Sequence, residues 1–236
     1  MKLKYNDMPK LFSPFVREIV NGNYVCVPKI EEKFRWVFTE ESEAVEKLDG
    51  TNVSIVVKNG EISSIFNRKN LISMWKKGNK RFIEGVLESI ERGYIDIEKL
   101  PDGQYYGELI GPKINGNPYK LDKHLWLPFD FLRKHYKFKF WDEFVKELKG
   151  LDDEEIFEKV NALFKGLWSL FKRKRGIKGE VNENVGFEGM SAEGIVFYRK
   201  NHDINIVKYG GKTTTFEMAK LRRDMFEWFK GRRHTN

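Results

Sequence analysis

The residues Glu46-Lys47-Leu48-Asp49-Gly50-Thr51-Asn52 place a lysine just ahead of a turn-forming Asp-Gly and a second strand-forming run. A lysine so placed emerges at a sheet edge instead of being threaded into a core. Held in a partly desolvated pocket, or beside another cation, it can lose its proton near neutral pH and act as a nucleophile. An ordinary Asp-Gly hairpin with an exposed lysine has the same local sequence, so the segment alone leaves both readings open. Two carboxylates stand in related settings: Glu108 in Tyr106-Gly-Glu-Leu-Ile-Gly111 and Glu193 in Ala192-Glu-Gly-Ile-Val196. Each lies on an apolar strand beside glycine, which permits a ligand to approach closely. Lys208 lies in a further apolar run, Ile204–Tyr209. The ordered set of Lys-x-Asp-Gly, Gly-Glu, Glu-Gly and Lys is much rarer by chance than any one member. The Gly-x-x-x-x-Gly-Lys-(Ser/Thr) loop is missing, which excludes a P-loop route to ATP.

The positioning elements can be read from period and punctuation. Val53–Val57 and Glu61–Phe66 are β-rich runs joined by Lys58-Asn59-Gly60, and Asn-Gly is a strong two-residue hairpin signal. Residues 81–92 set Phe82, Ile83, Val86, Leu87 and Ile90 on one helical face. Gln104–Ile110 and Leu125–Phe131 read as strands, and residues 141–172 carry helical spacing. Glu193–Tyr198 and Ile204–Tyr209 read as strands, and Thr214 with Glu217 forms a capping box opening a last helix that buries Met218, Leu221, Met225 and Trp228 or Phe229. This order predicts an α+β fold of antiparallel sheets flanked by helices. With no Pro-, Gly- or Ser-rich linker, residues 1–236 are expected to form one domain, with a helical insert at about 133–180 and a helical tail at about 214–231.

Lys and Arg number 43 against 35 Asp and Glu, a formal charge of +8, which biases the chain toward polyanions such as nucleic acids. Apolar residues at 40% and aromatics at 14% suit a folded domain with a substantial core. No apolar run is long enough to span a bilayer, and the N-terminus has no secretory h-region. Cys26 is the only cysteine, so internal disulfides and cysteine-based zinc clusters are excluded, and a reducing, cytoplasmic setting is expected. His124, His135, His202 and His234 show no metal spacing. Nothing in the sequence calls for a membrane or an obligate protein partner.

Lys47-Leu48-Asp49-Gly50 resembles the first motif, Lys-x-Asp-Gly, of the covalent nucleotidyltransferases, the superfamily of ATP-dependent DNA and RNA ligases and mRNA capping enzymes. The following Thr51-Asn52 is similar to the RNA ligase 2 type, whereas DNA ligases more often continue with a charged residue and Arg. The resemblance runs from about residue 44 to 210 and implies a nucleotidyltransferase (ATP-grasp-like ligase) fold. It implies that Lys47 carries AMP, that Glu46 contacts the adenine edge, and that Asn52 belongs to the nucleotide site. It implies that Arg68, with Lys69 as its neighbour in register, contacts ribose or substrate phosphate. Glu108 would hold the ribose hydroxyls, Phe129 would stack on adenine with Phe131 as competitor, and Glu193 would serve the divalent metal. Lys208 would bind the α-phosphate. The family's fifth motif reads Lys-apolar-Lys, but this chain has Ile206-Val207-Lys208, so one lysine is missing or Lys212 replaces it. About 26 residues follow that motif, so no OB-fold domain is expected.

The resemblance thus implies an RNA ligase that uses ATP as AMP donor with Mg²⁺ or Mn²⁺, in nucleic acid repair, and joins 5′-phosphate to 3′-hydroxyl ends. RNA is the expected partner, with DNA or an RNA/DNA hybrid as the nearest rival. A guanylyltransferase, or a non-catalytic nucleic-acid-binding protein on the same fold, remains a competing reading. Two basic stretches are expected to hold the nucleic acid: the run with Lys172, Arg173, Lys174 and Arg175, and the tail with Arg222 and Arg223.

Overall fold

In the computed structural model, residues 7–183, 186–201 and 216–233 are described. Lys208, the strand expected over Ile204–Tyr209, Lys212, Thr214, His202 and His234 lie outside them. Although no linker marks it in sequence, the chain divides into two compact units, and among the described residues it crosses between them at Lys10/Leu11, Leu48/Asp49 and His135/Tyr136.

The first unit is built on 49–135 with 7–10. Its sheet has the order β6-β5-β4-β7-β8, all neighbours antiparallel, from β4 (Thr51–Lys58), β5 (Glu61–Asn67), β6 (Asn70–Leu71), β7 (Gly103–Ile110) and β8 (Leu125–Pro128). Asn59 and Gly60 take φ of 51° and 74°, the left-handed pair that the expected β4–β5 hairpin requires. Helix α1 (Lys80–Glu91) packs on β8, β7 and β5 through Phe82 and Val86, and closes a core with Val53, Ile55, Val57, Leu109 and Trp126. Leu87, expected on the same face, is exposed: its angular position puts it at the border of the apolar stripe. The strand expected over 125–131 stops at Pro128, and α2 (Phe129–His135) begins directly after it. Proline has no N–H for a ladder, and its fixed φ suits the start of a helix.

The second unit holds 11–48 and the described residues of 136–204 and 214–236. β1 (Phe15–Val20) and β2 (Asn23–Ile30) form a hairpin on Asn21-Gly22, both at positive φ. A second sheet has the order β10-β9-β3, from β3 (Ser42–Lys47), β9 (Gly194–Arg199) and β10 (Met218–Arg222). Helices α3 (Trp141–Phe144), α4 (Asp153–Lys165) and α5 (Leu170–Lys174) fall in the stretch expected as a helical insert. Asp152 and Glu155 form a full capping box at α4. Phe34, Trp141, Val160, Phe164, Ile195, Phe197 and Phe226 lie in this unit's core.

The tail corrects an expectation. In place of a helix, residues 218–222 form β10, paired with β9, and residues 223–225 form a 3-10 turn. Met218, Leu221, Met225 and Phe229 are buried as expected, but so are Ala219 and Phe226. A short run buried on both faces carries no period, so spacing could not separate strand from helix there.

Candidate functional site

Lys47 is the last residue of β3, the edge strand of its sheet, and the register pairs it with Gly194 across β9. That register brings the residue before Gly194 alongside it. The Lys47 Nζ donates to Oε2 of Glu193 at 2.7 Å and to the Leu48 carbonyl at 3.2 Å. Glu193 is buried, while the Lys47 side chain keeps about a fifth of its surface accessible. The Glu193 carbonyl accepts from the Arg223 amide, which fixes the backbone of this carboxylate. The glycine beside Glu193 has a structural cause: a Cβ on Gly194 would overlap the Leu221 carbonyl oxygen of β10. Gly107, beside Glu108, likewise makes room for protein, since a Cβ there would sit 2.5 Å from the Leu127 carbonyl oxygen. Strand packing therefore requires glycine at both 107 and 194.

Glu46 alternates to the other face of β3 and is 1% exposed. Ser169 Oγ donates to its Oε1 at 2.5 Å and the Phe171 amide donates to its Oε2 at 2.8 Å. Burial pushes the Glu46 carboxyl up to about 7, partly opposed by these two donors and by Lys172. Glu46 thus anchors the start of α5, where Ser169 is the N-cap. Its carboxylate oxygens are committed to protein donors, which sets it apart from the adenine contact implied by resemblance.

The remaining candidates lie in the first unit. Asn52 and Glu108 are directly paired across β4 and β7, and Glu108 is paired with Leu127 across β7 and β8. The Arg68 amide donates to the Asn52 carbonyl at 3.2 Å. Arg68 sits at the β5–β6 turn with φ 53°, its side chain mostly exposed and 3.8 Å from Asp7. Asn52 Oδ1 is buried and has no hydrogen-bond partner among the described residues, a state that an incoming donor would relieve. Phe129 is half-buried at the start of α2, whereas its competitor Phe131 stacks on Tyr94 with ring centroids 4.3 Å apart.

The Asp-Gly of the first motif is not a hairpin turn, because β3 and β4 belong to different sheets. Asp49 is buried, and its amide donates to Tyr119 Oη at 2.6 Å. Its Oδ1 accepts from Asn115 Nδ2 at 2.7 Å, and the same amide group donates to the Gly50 carbonyl at 2.8 Å. No motif in the sequence marks Asn115 or Tyr119. The Gly111-Pro-Lys-Ile-Asn-Gly-Asn-Pro118 stretch signals an elaborate turn, and it holds Lys113, Asn115 and Asn117 at positive φ.

Three of the six residues expected to contact nucleic acid are buried. Lys172 is 1% exposed, and its Nζ donates to the carbonyls of Phe187, Gly189 and Ser191. Arg222 is buried against Asp224 at 2.9 Å. Arg223 is fully buried, donates to the carbonyls of Phe164 and Asn182, and is lowered to about 10 by burial. Arg173, Lys174 and Arg175 remain exposed, with Lys174 over the Tyr136 ring at 4.4 Å. Among the described residues no group of three or more His, Cys, Asp or Glu side chains is placed to hold a metal.

Residues 40–210 match the family described as RNA ligase, a span that takes in Lys47, Asn52, Arg68, Glu108, Phe129, Glu193 and Lys208. The chain belongs to the RNA ligase family. Among solved structures, this RNA ligase family member is similar to a Naegleria gruberi RNA ligase with PPi, at 17% identity and a TM-score of 0.46, covering 92% of this chain and 57% of that one. A variant of that enzyme with ATP and Mn matches at 15% identity and 0.46, covering 94% and 62%. Another, with AMP and Mn, matches at 16% and 0.45, covering 94% and 62%. The chain therefore spans about three fifths of the length of the solved ligases it resembles. Comparison with curated proteins gave no match. No helix among the described residues is long and apolar enough to cross a membrane.

Proposed function

We propose that the chain is an ATP-dependent RNA ligase of the RNA ligase 2 type, acting through a covalent Lys47–AMP. The observation that carries this reading is the 2.7 Å pairing of Lys47 Nζ with the buried Glu193 carboxylate at a strand edge, within the family-matched span. First, the Lys47 amine attacks the α-phosphorus of ATP in line with departing pyrophosphate, forming an N–P bond as the P–O bond breaks. AMP then moves to an RNA 5′-phosphate, and attack by a 3′-hydroxyl closes the phosphodiester and releases AMP.

Each residue has a physical task in this scheme. An ammonium has no lone pair, so Lys47 must lose its proton before it attacks. Glu193 supplies one hard oxygen donor group, which fits a cation that prefers one or two carboxylates together with phosphate oxygens and water. Such an ion would offset charge on the transferring phosphate and weaken the carboxylate's hold on the Lys47 ammonium. Glu108 and Asn52, paired across two strands, would bind the nucleoside, and the unpartnered Asn52 Oδ1 supports that role. Phe129 would offer a stacking face, and Lys208 and Arg68 would bind phosphate. Asp49 holds the turn after Lys47 through Asn115 and Tyr119, as a positioning residue.

The test is incubation with ATP labelled at the α-phosphate and Mg²⁺ or Mn²⁺. The protein should acquire an acid-labile AMP label, and Lys47→Ala should acquire none; label retained in that variant would refute the assignment. Sealing of nicked RNA against nicked DNA then reads the polynucleotide preference, with RNA expected to be favoured.

A further inference from the structure

The strongest unassigned feature of the surface lies in the first unit, after β5. Arg68 and Lys69 form the tip of the β5–β6 hairpin, and the chain then runs through Leu71-Ile72-Ser73-Met74-Trp75-Lys76-Lys77 to α1. Leu71 is 63% exposed, Met74 71% and Trp75 94%. Single exposed apolar residues are ordinary, but a nearly bare tryptophan with two apolar neighbours is not. The loop is braced: Asn79 Nδ2 donates to the Ser73 carbonyl at 3.0 Å, the Asn79 amide to the Lys76 carbonyl at 2.8 Å, and the Ile72 amide to the Ile65 carbonyl at 2.8 Å. Trp75 is therefore presented on an ordered turn.

The charge along this stretch of chain has one sign, although Arg68 lies 3.8 Å from Asp7. Between Glu61 and Glu84 the chain has six cations, Arg68, Lys69, Lys76, Lys77, Lys80 and Arg81, and no carboxylate. Lys80 is paired with Glu84 at 3.2 Å, while Lys76 and Lys77 are exposed with no ion-pair partner among the described residues. An exposed indole set among cations is the arrangement that holds unpaired nucleic acid: the ring stacks on a base and the ammonium groups follow the phosphates.

We infer that the 69–77 loop is a docking element for single-stranded RNA, with Trp75 stacking on an unpaired base and Lys76 and Lys77 on flanking phosphates. The inference rests on the RNA ligase reading for its choice of RNA, but the loop's binding can be measured without the ligation chemistry. It also supplies the electrostatic footing that the buried Lys172, Arg222 and Arg223 do not.

The experiment titrates a fluorescently labelled, 5′-phosphorylated single-stranded RNA with the whole chain across a salt series, and measures self-adenylylation in parallel. Trp75→Ala should weaken RNA binding about 5- to 140-fold, the range that stacking of 1–3 kcal/mol per base implies. Trp75→Phe should keep most of the affinity, because a smaller ring still stacks. The double variant Lys76→Gln/Lys77→Gln should lower the log–log salt slope by about 1.4, or about 0.7 per phosphate contact on a single strand. All three should take up AMP like the parent. Parental affinity in Trp75→Ala with a parental salt slope in the double variant would overturn the inference. It would be overturned equally if Trp75→Ala dissociated a self-associated form in sedimentation while RNA binding stayed unchanged, since the indole would then be a contact between copies. A parent that never takes up AMP would refute the proposed function alone, since RNA binding through Trp75 is read separately.

Discussion

At the scale of single residues, adjacent positions on β3 do different work because a strand alternates its faces. Lys47 meets Glu193, whereas Glu46 is buried against Ser169 and Phe171. Glu193 and Glu108 should separate by their response to metal. Glu193→Gln should slow self-adenylylation about 10²-fold or more, and raised Mn²⁺ should recover part of the loss; Glu108→Gln should show no such recovery. Equal responses would remove the distinction. Glu46 makes a second prediction. Burial raises its folded carboxyl from 4.5 to about 7, so the native state holds this proton more tightly than the unfolded chain does. That difference makes stability fall as pH rises from about 4.5 to about 7 and level off above, by at most about 3 kcal/mol. In Glu46→Gln the lost acceptor shifts stability at every pH, but this slope should vanish. Urea midpoints across the window check it, and parallel curves for the two proteins would refute it.

Among the elements, the basic run at the end of α5 shows how one stretch of like residues divides by position. Lys172 turns inward to bind three carbonyls of the segment leading to Glu193, while Arg173 and Arg175 face solvent. Lys172→Met would leave those carbonyls without their ammonium donor and remove a positive charge beside Glu46. It should destabilise by about 3 kcal/mol, and it should depress adenylylation through the disordered approach to Glu193. Arg173→Gln and Arg175→Gln should each stay within about 0.5 kcal/mol of the parent. Chemical denaturation of the three variants checks this, and a mild Lys172→Met would show that the segment has other support.

On the scale of the whole molecule, each compact unit has its own hydrophobic core. Cys26 reports on one of them. It is buried on β2 beside Ser13, and burial pushes its thiol up to about 12. The thiolate is the reactive form, so Cys26 should resist disulfide reagents throughout the neutral range in the native state. Its labelling should follow unfolding of the core that holds Phe15, Ile30 and Phe38, and be complete in denaturant. Rapid labelling of the native protein would show that this core opens readily.

Local chemistry and period were enough to determine much of this protein. The β4–β5 hairpin follows from Asn59-Gly60, α1 from its apolar stripe, and the α+β class from the order of elements, because each depends on neighbours in the chain. The ordered Lys47, Glu108 and Glu193 settings stand out in the sequence because they are local runs, and all three lie within the span matched by the RNA ligase family. Tertiary structure decided what local spacing cannot encode. It made residues 218–222 a strand, because β9 supplies ladder partners 20 to 28 positions away. It assigned the glycines at 107 and 194 to strand packing, since their crowding comes from Leu127 and Leu221. It took Lys172, Arg222 and Arg223 out of solvent and left Trp75 in it, because burial is set by what the rest of the chain places around a residue.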